Sequence, residues 1–101
     1  MSIFIVYTKE KGKIETDKRD DFVDLTWHRT DGPAIQEFWD AGHLQYEAYY
    51  SNDKRHRLDG PAFQTFNDNG KLNFETYYIN GKCYTKSGYD AEIFKMKLAL
   101  L

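Results

Sequence analysis

Short alternating runs of β-formers, set off by turn residues, fill the chain up to its last fifteen positions, where apolar residues recur at helical spacing. "SIFIVY" reads as a first strand, and "IFIVYTKEKGKI" as a lead-in hairpin turning near Lys11-Gly12. "TDKRDD" reads as a solvated loop before a further strand at residues 22–26. After it, "PAIQEFW" and "LQYEAYY" flank "DAGH", and "PAFQTF" and "LNFETYY" flank "NDNGK". Each pair predicts a hairpin, and Asn69-Gly70 predicts a type I′ turn, which needs positive φ at both central residues. Asn80-Gly81 predicts another turn, towards the C-terminal segment.

The two hairpins are copies. Residues 28–55 and 56–83 agree at sixteen of twenty-eight positions, including "HRTDGPA" and "HRLDGPA". A third copy fades: Tyr84, Thr85, Lys86 and Ser87 replace the motif, and only Gly88 stays in phase. With Ala41-Gly42 and Asn69-Gly70 as central turn residues, Asp40 opposes His43, Trp39 opposes Leu44 and Glu37 opposes Tyr46. One face then carries Ile35, Trp39, Leu44, Tyr46, Tyr50, Phe63, Leu72, Phe74 and Tyr78 as core. The other carries Phe38, Phe66, Tyr49 and Tyr77, half exposed, around the pairs Gln36 with Glu47 and Gln64 with Glu75.

Such a sheet cannot bury its apolar face alone, and "SGYDAEIFKMKLALL" is the expected cover. Ser87 and Asp90 have capping-box spacing, and Tyr89, Ile93, Met96 and Leu100 form a stripe that Phe94, Leu98 and Leu101 widen. A helix over residues 89–100 follows, packed on the sheet or dimerising. The fold class is therefore mainly β (α+β): an antiparallel β-meander of tandem hairpins with one C-terminal helix. It forms a single domain over residues 1–101, with a lead-in (1–27), two repeats (28–55 and 56–83) and a degenerate end (84–101).

Composition narrows the function. Aromatics reach 17% of 101 residues, and 14 Lys and Arg against 16 Asp and Glu give a net charge of −2, which argues against nucleic-acid or anionic-membrane partners. The single Cys83 cannot form an internal disulfide, and "SIFIVY" is too short for a membrane span or a leader's apolar core, so a cytoplasmic setting is expected.

"HRTDGPA" followed by "DAG" and "YEAYY", then "HRLDGPA" followed by "DNG" and "FETYYINGK", resembles a variant of the MORN repeat. That variant occurs in small proteins of bacteriophages and large DNA viruses. The resemblance covers residues 27–83 and implies a β-meander, a viral or mobile-element source, and an interaction or lipid-associated module instead of an enzyme.

Two readings compete for the repeated motif. In one, His28 and His56 are general bases oriented by Asp31 and Asp59, with Arg29 and Arg57 as anion anchors, as in a small hydrolase of a nucleotide-like or phosphorylated ligand. In the other, Asp, Gly and Pro turn the chain and the Arg pairs with the Asp. Duplication favours the second, because active sites are rarely copied along a scaffold. A shared metal is not expected, since equivalent histidines lie two strands, or about 9–10 Å, apart. Cys83 has no neighbouring base and reads as a buried or semi-buried bystander, "KRHR" at 54–57 reads as a solvated turn, and no cofactor is implied. The better lead is the aromatic surface. Trp39, Tyr49, Tyr77, Phe38 and Phe66, with Arg29, Arg57, His28 and His56 near them, are the candidate binding residues for a host protein. A ligand-sequestering protein, or a structural homo-oligomer built through sheet edges or the helix, is the remaining alternative.

Overall fold

The computed structural model describes residues 2–40 and 42–101. Among the described residues nine strands, a short 3-10 helix (Arg19–Asp21) and an α-helix follow one another: β1 (Ile3–Thr8), β2 (Gly12–Thr16), β3 (Ile35–Phe38), β4 (Leu44–Ala48), β5 (Tyr50–Ser51), β6 (Lys54–Arg55), β7 (Phe63–Phe66), β8 (Leu72–Ile79), β9 (Lys82–Tyr84) and α1 (Lys86–Ala99), with the 3-10 helix between β2 and β3. Seven of the strands form an antiparallel sheet in the order β2-β1-β3-β4-β7-β8-β9, and β5 pairs with β6 alone. The meander and its C-terminal helix are thus present, as the alternating pattern predicts.

Each repeat holds two hairpins where the sequence suggested one. The long hairpins β3-β4 and β7-β8 are each followed by a tight turn with both central residues at positive φ: Asn52 (51°) with Asp53 (67°), and Asn80 (48°) with Gly81 (84°). These are the type I′ turns. The turn at Asn69-Gly70 is of another kind. Asn67 N–H donates to the Lys71 carbonyl and Gly70 N–H to the Asn67 carbonyl, with only Gly70 at positive φ, which is a three-residue loop closed by a glycine bulge. The first hairpin repeats the pattern: Trp39 N–H donates to His43, Gly42 N–H to Trp39, and Gly42 has φ 91°. Trp39 therefore bonds to His43 and does not oppose Leu44; Ala41, the other half of that expected turn, lies outside the described residues.

A second irregularity sits just below each tip. Glu37 opposes Tyr46 but Phe38 opposes Leu44, and Thr65 opposes Phe74 but Phe66 opposes Leu72, so Gln45 and Asn73 are extra residues. Opposed residues share a face, and one extra residue exchanges faces beyond it. Leu44 and Leu72 consequently join Phe38 and Phe66, away from the side where the expected register put them.

The core divides in two. On one face, called here the core face, Phe4, Val6, Ile35 and Phe22 are buried together, with Ile14, Leu25, Trp27, Tyr46 and Tyr50 packed around them. The expected strand at 22–26 is absent. A turn carries Phe22, 1% exposed, over the sheet, where its ring lies 5.2 Å from that of Phe4 and Trp27 Nε1 donates to its carbonyl. Residues 17–27 thus roof the N-terminal half of this face. Over the second repeat the face is covered only in part: Arg55 lies against Phe63 and Tyr78, while Phe74 is 54% exposed; Trp39 of the first repeat, placed with the core by the sequence pattern, is also exposed.

The helix packs on the opposite face. It starts earlier than the spacing suggested, because the Thr85 hydroxyl, not that of Ser87, caps it by accepting from Gly88 N–H. Tyr89 packs on Tyr77 and Ile79, with Ile93 and Tyr84 beside them. Tyr77 is accordingly buried instead of half exposed. The rest of the expected stripe projects past the sheet: Phe94, Met96, Leu98, Leu100 and Leu101 are all exposed. Cys83 is exposed rather than buried. No helix among the described residues is long and apolar enough to cross a membrane.

Phe22→Ala is expected to cost about 3–5 kcal/mol, the usual loss for a buried phenylalanine, although the residue belongs to no strand. Urea unfolding of the variant checks this.

Candidate functional site

The repeated motif forms an arginine clip. Arg29 Nε donates to Asp31 at 2.8 Å, Nη1 donates to the Pro33 carbonyl at 3.2 Å, and the guanidinium lies 3.9 Å from the centre of the Tyr7 ring. Arg57 does the same with Asp59 at 2.9 Å, Pro61 at 3.1 Å and the Tyr49 ring at 4.0 Å. Charge-assisted bonds and the ring face hold a planar fork from three sides. A Cβ at Gly32 would come within 2.9 Å of the Arg29 guanidinium carbon, and one at Gly60 within 3.0 Å of that of Arg57. The glycine is there so that the guanidinium can lie against the backbone. Arg29 holds the exposed Asp31 carboxyl below its ordinary range, chiefly through the hydrogen bond and then through its charge.

The histidines tie successive hairpins together. His28 N–H donates to the Tyr7 carbonyl, and its Nδ1 accepts from Asn52 N–H at 3.0 Å, at the first central residue of the type I′ turn. His56 N–H donates to Tyr49, and its Nδ1 accepts from Asn80 N–H at 3.0 Å. Both Nδ1 lone pairs serve the backbone, and both aspartates serve an arginine. The His-Asp dyads required of a general base are not formed.

The clips stack into a ladder across the sheet. Tyr7, Arg29, Tyr49 and Arg57 follow one another, and Tyr77 receives the Lys86 ammonium at 5.7 Å, in place of the arginine that the faded third copy lacks. Tyr89 closes the end, its hydroxyl donating to the Arg57 carbonyl at 2.6 Å and accepting from Gly60 N–H at 3.2 Å. Burial pushes the Tyr49, Tyr77 and Tyr89 phenols above their ordinary value; for Tyr77 the bond to Glu75 adds to it. Arg55, within the stretch expected to be a solvated turn, is half-buried between Phe63 and Tyr78, with Nε and Nη1 donating to the hydroxyls of Tyr50 and Tyr78.

Three rows therefore cross the face opposite the core. The ladder is the first. The second is polar, Gln36 opposite Glu47 and Gln64 opposite Glu75, as the sequence pairing predicts. The third, nearest the tips, is apolar: Ile3 opposes Phe38, Phe38 opposes Leu44, and Phe66 opposes Leu72. Ile3 and Leu72 are 46% and 49% exposed.

The candidate residues are distributed over this frame. Arg29, Arg57, His56 and Tyr49 line one groove of about 740 Å³ between the two motif loops, and His28 lies outside its lining. Phe38 and Phe66 belong to the apolar row. Tyr77 is core, and Trp39 sits at a hairpin tip on the other face. Leu44 and Leu72 were missed because the bulges that place them have no sequence signature, and Ile3 because the pairing of β1 with β3 was not foreseen. Among the described residues no three His, Cys, Asp or Glu side chains gather as a metal site. Compared with protein-family models, curated proteins and solved structures, the chain matches none.

Two substitutions test the clip and its end. Arg57→Lys keeps the charge but loses the fork, and is expected to lower stability by about 2 kcal/mol in urea unfolding. Tyr89→Phe should cost about 1–2 kcal/mol at pH 7 through its two lost hydrogen bonds. Because the folded-state phenols are raised, their contribution is intact below the unfolded value of about 10 and is lost as pH rises through the folded one. Urea midpoints at pH 7 and pH 11 should therefore converge more closely in Tyr89→Phe than in the parent chain.

Proposed function

We propose that this chain is a non-enzymatic protein-binding module, a phage-type accessory protein that docks on a host protein and modulates or inhibits it. The observation that carries the reading is the apolar row Ile3, Phe38, Leu44, Phe66 and Leu72 lying beside the carboxylates of Glu47 and Glu75. The resemblance of the repeat to interaction modules of small viral proteins supports it. So does the histidine geometry, which spends Nδ1 on backbone bonds.

The chemistry of the row favours one kind of partner. Five residues on five adjacent strands, with β4 and β7 unpaired between Leu44 and Phe66, span at least about 19 Å, the length of at least about thirteen helical residues. Neither Glu47 nor Glu75 is paired with a lysine or arginine; Gln36 and the Tyr77 hydroxyl are their donors. An amphipathic helix with an apolar ridge and lysines or arginines along one flank fits such a surface.

The test begins with capture from the native host and continues with the purified pair. Leu72→Lys and Ile3→Lys, both at exposed positions, should each weaken the pair at least about tenfold, or about 1.4 kcal/mol, while melting within about 2 °C of the parent. Unchanged affinity in both variants would overturn the reading.

A further inference from the structure

On the core face, the same bulges open a cleft between the two long hairpins. β4 and β7 are paired over Tyr46–Thr65, Glu47–Gln64 and Ala48–Phe63, and beyond Tyr46 and Thr65 the pairing ends. The space between the tips measures about 1130 Å³. Trp39 and Tyr46 supply ring surface, and Gln45, Asn67, Asn73 and His43 supply planar polar groups; Phe66 also borders it. Gln45 and Asn73 are the two extra residues of the bulges. Asn73 Nδ2 donates to Thr65 Oγ1 and Gln45 Oε1 accepts from Ser2 Oγ, both at a long 3.4 Å, so both amides retain capacity for a ligand.

We propose that this cleft binds a neutral saccharide chain. Among the described residues no lysine or arginine lines it, while Asp68 does, so a phosphate or carboxylate ligand would meet the wrong charge. A wholly apolar ligand would strip water from the amides and return no hydrogen bonds. A sugar satisfies both sets of groups. Its C–H faces pack on the Trp39 and Tyr46 rings, and its paired hydroxyls, each both donor and acceptor, meet side-chain amides that are themselves both. The cleft is shallow and open along its length, which admits successive units of a chain. An extended peptide on the strand edges left unpaired beyond Tyr46 and Thr65 is the competing occupant, and the test includes it. Of the proposed protein-docking row, which lies on the opposite face, this site shares Phe66 alone; the residues that test the two, Trp39 and Asn73 here and Ile3 and Leu72 there, differ, so either can fail without the other.

The test is a ¹⁵N–¹H titration of the full chain with hexameric malto-, cello- and chito-oligosaccharides up to about 10 mM, the range in which weak single-site binding is read. At least one should move the Trp39 indole crosspeak saturably and leave that of Trp27, whose Nε1–H is held by the Phe22 carbonyl, in place. Trp39→Ala, at an exposed tip, should abolish the accompanying Asn73 side-chain shift, and Asn73→Ala should weaken the Trp39 response at least about fivefold. No movement with any of the three overturns the proposal, as does binding that Trp39→Ala leaves intact. Stronger binding of a uronic-acid oligomer, or of an unstructured Gly-Ser-Tyr peptide, would overturn the ligand class.

Discussion

The arrangement that everything else depends on is the arginine clip. A five-residue turn such as Arg29–Pro33 or Arg57–Pro61 would ordinarily be loose. Here a guanidinium fills the turn from inside, bonded to its own aspartate and to its own proline carbonyl. The same guanidinium lies on a tyrosine of an earlier segment, Tyr7 of β1 or Tyr49 between β4 and β5. Each clip thus fixes a loop and joins it to the preceding element, which is how a short repeat propagates a sheet without a large core. Arrays need ends, and both are visible. The lead-in strand supplies Tyr7 as a first ring that no repeat provides, and Lys86 with Tyr89 finishes the ladder where the third motif has decayed.

What the sequence made legible was what the repeat encodes twice. The hairpins, the Gln-Glu pairs and the structural use of Asp, Gly and Pro follow from duplicated residues and period-two patterning. The bulges could not be read, since Gln45 and Asn73 are ordinary strand residues whose extra count appears only against the partner strand. Phe22 was misassigned for a related reason: a short apolar run looks the same whether it enters a sheet or roofs one. Tyr89 carried a correct helical signal, yet the two hydrogen bonds that make it the ladder's end depend on a loop thirty residues away in sequence. Of the candidate site, the motif arginines and Phe38 with Phe66 were found; their neighbours Ile3, Leu44 and Leu72 come from elements whose register only the fold defines.

Those two bulges have consequences on both faces. By adding one residue to β4 and one to β8, they move Leu44 and Leu72 across the sheet, which completes an apolar row on the helix side. By the same step they turn Gln45 and Asn73 towards Tyr46 and Trp39, which furnishes the cleft on the other side with amides. The bulges fall at equivalent places in the two repeats, so duplication that served stability at the loop end also doubled the binding groups at the tip end. In the proposed reading, stability and recognition occupy opposite ends of the same hairpins. Substitutions at the tips leave the clips untouched, and on that proposal a repeat protein organised in this way can change what it binds without changing what holds it folded.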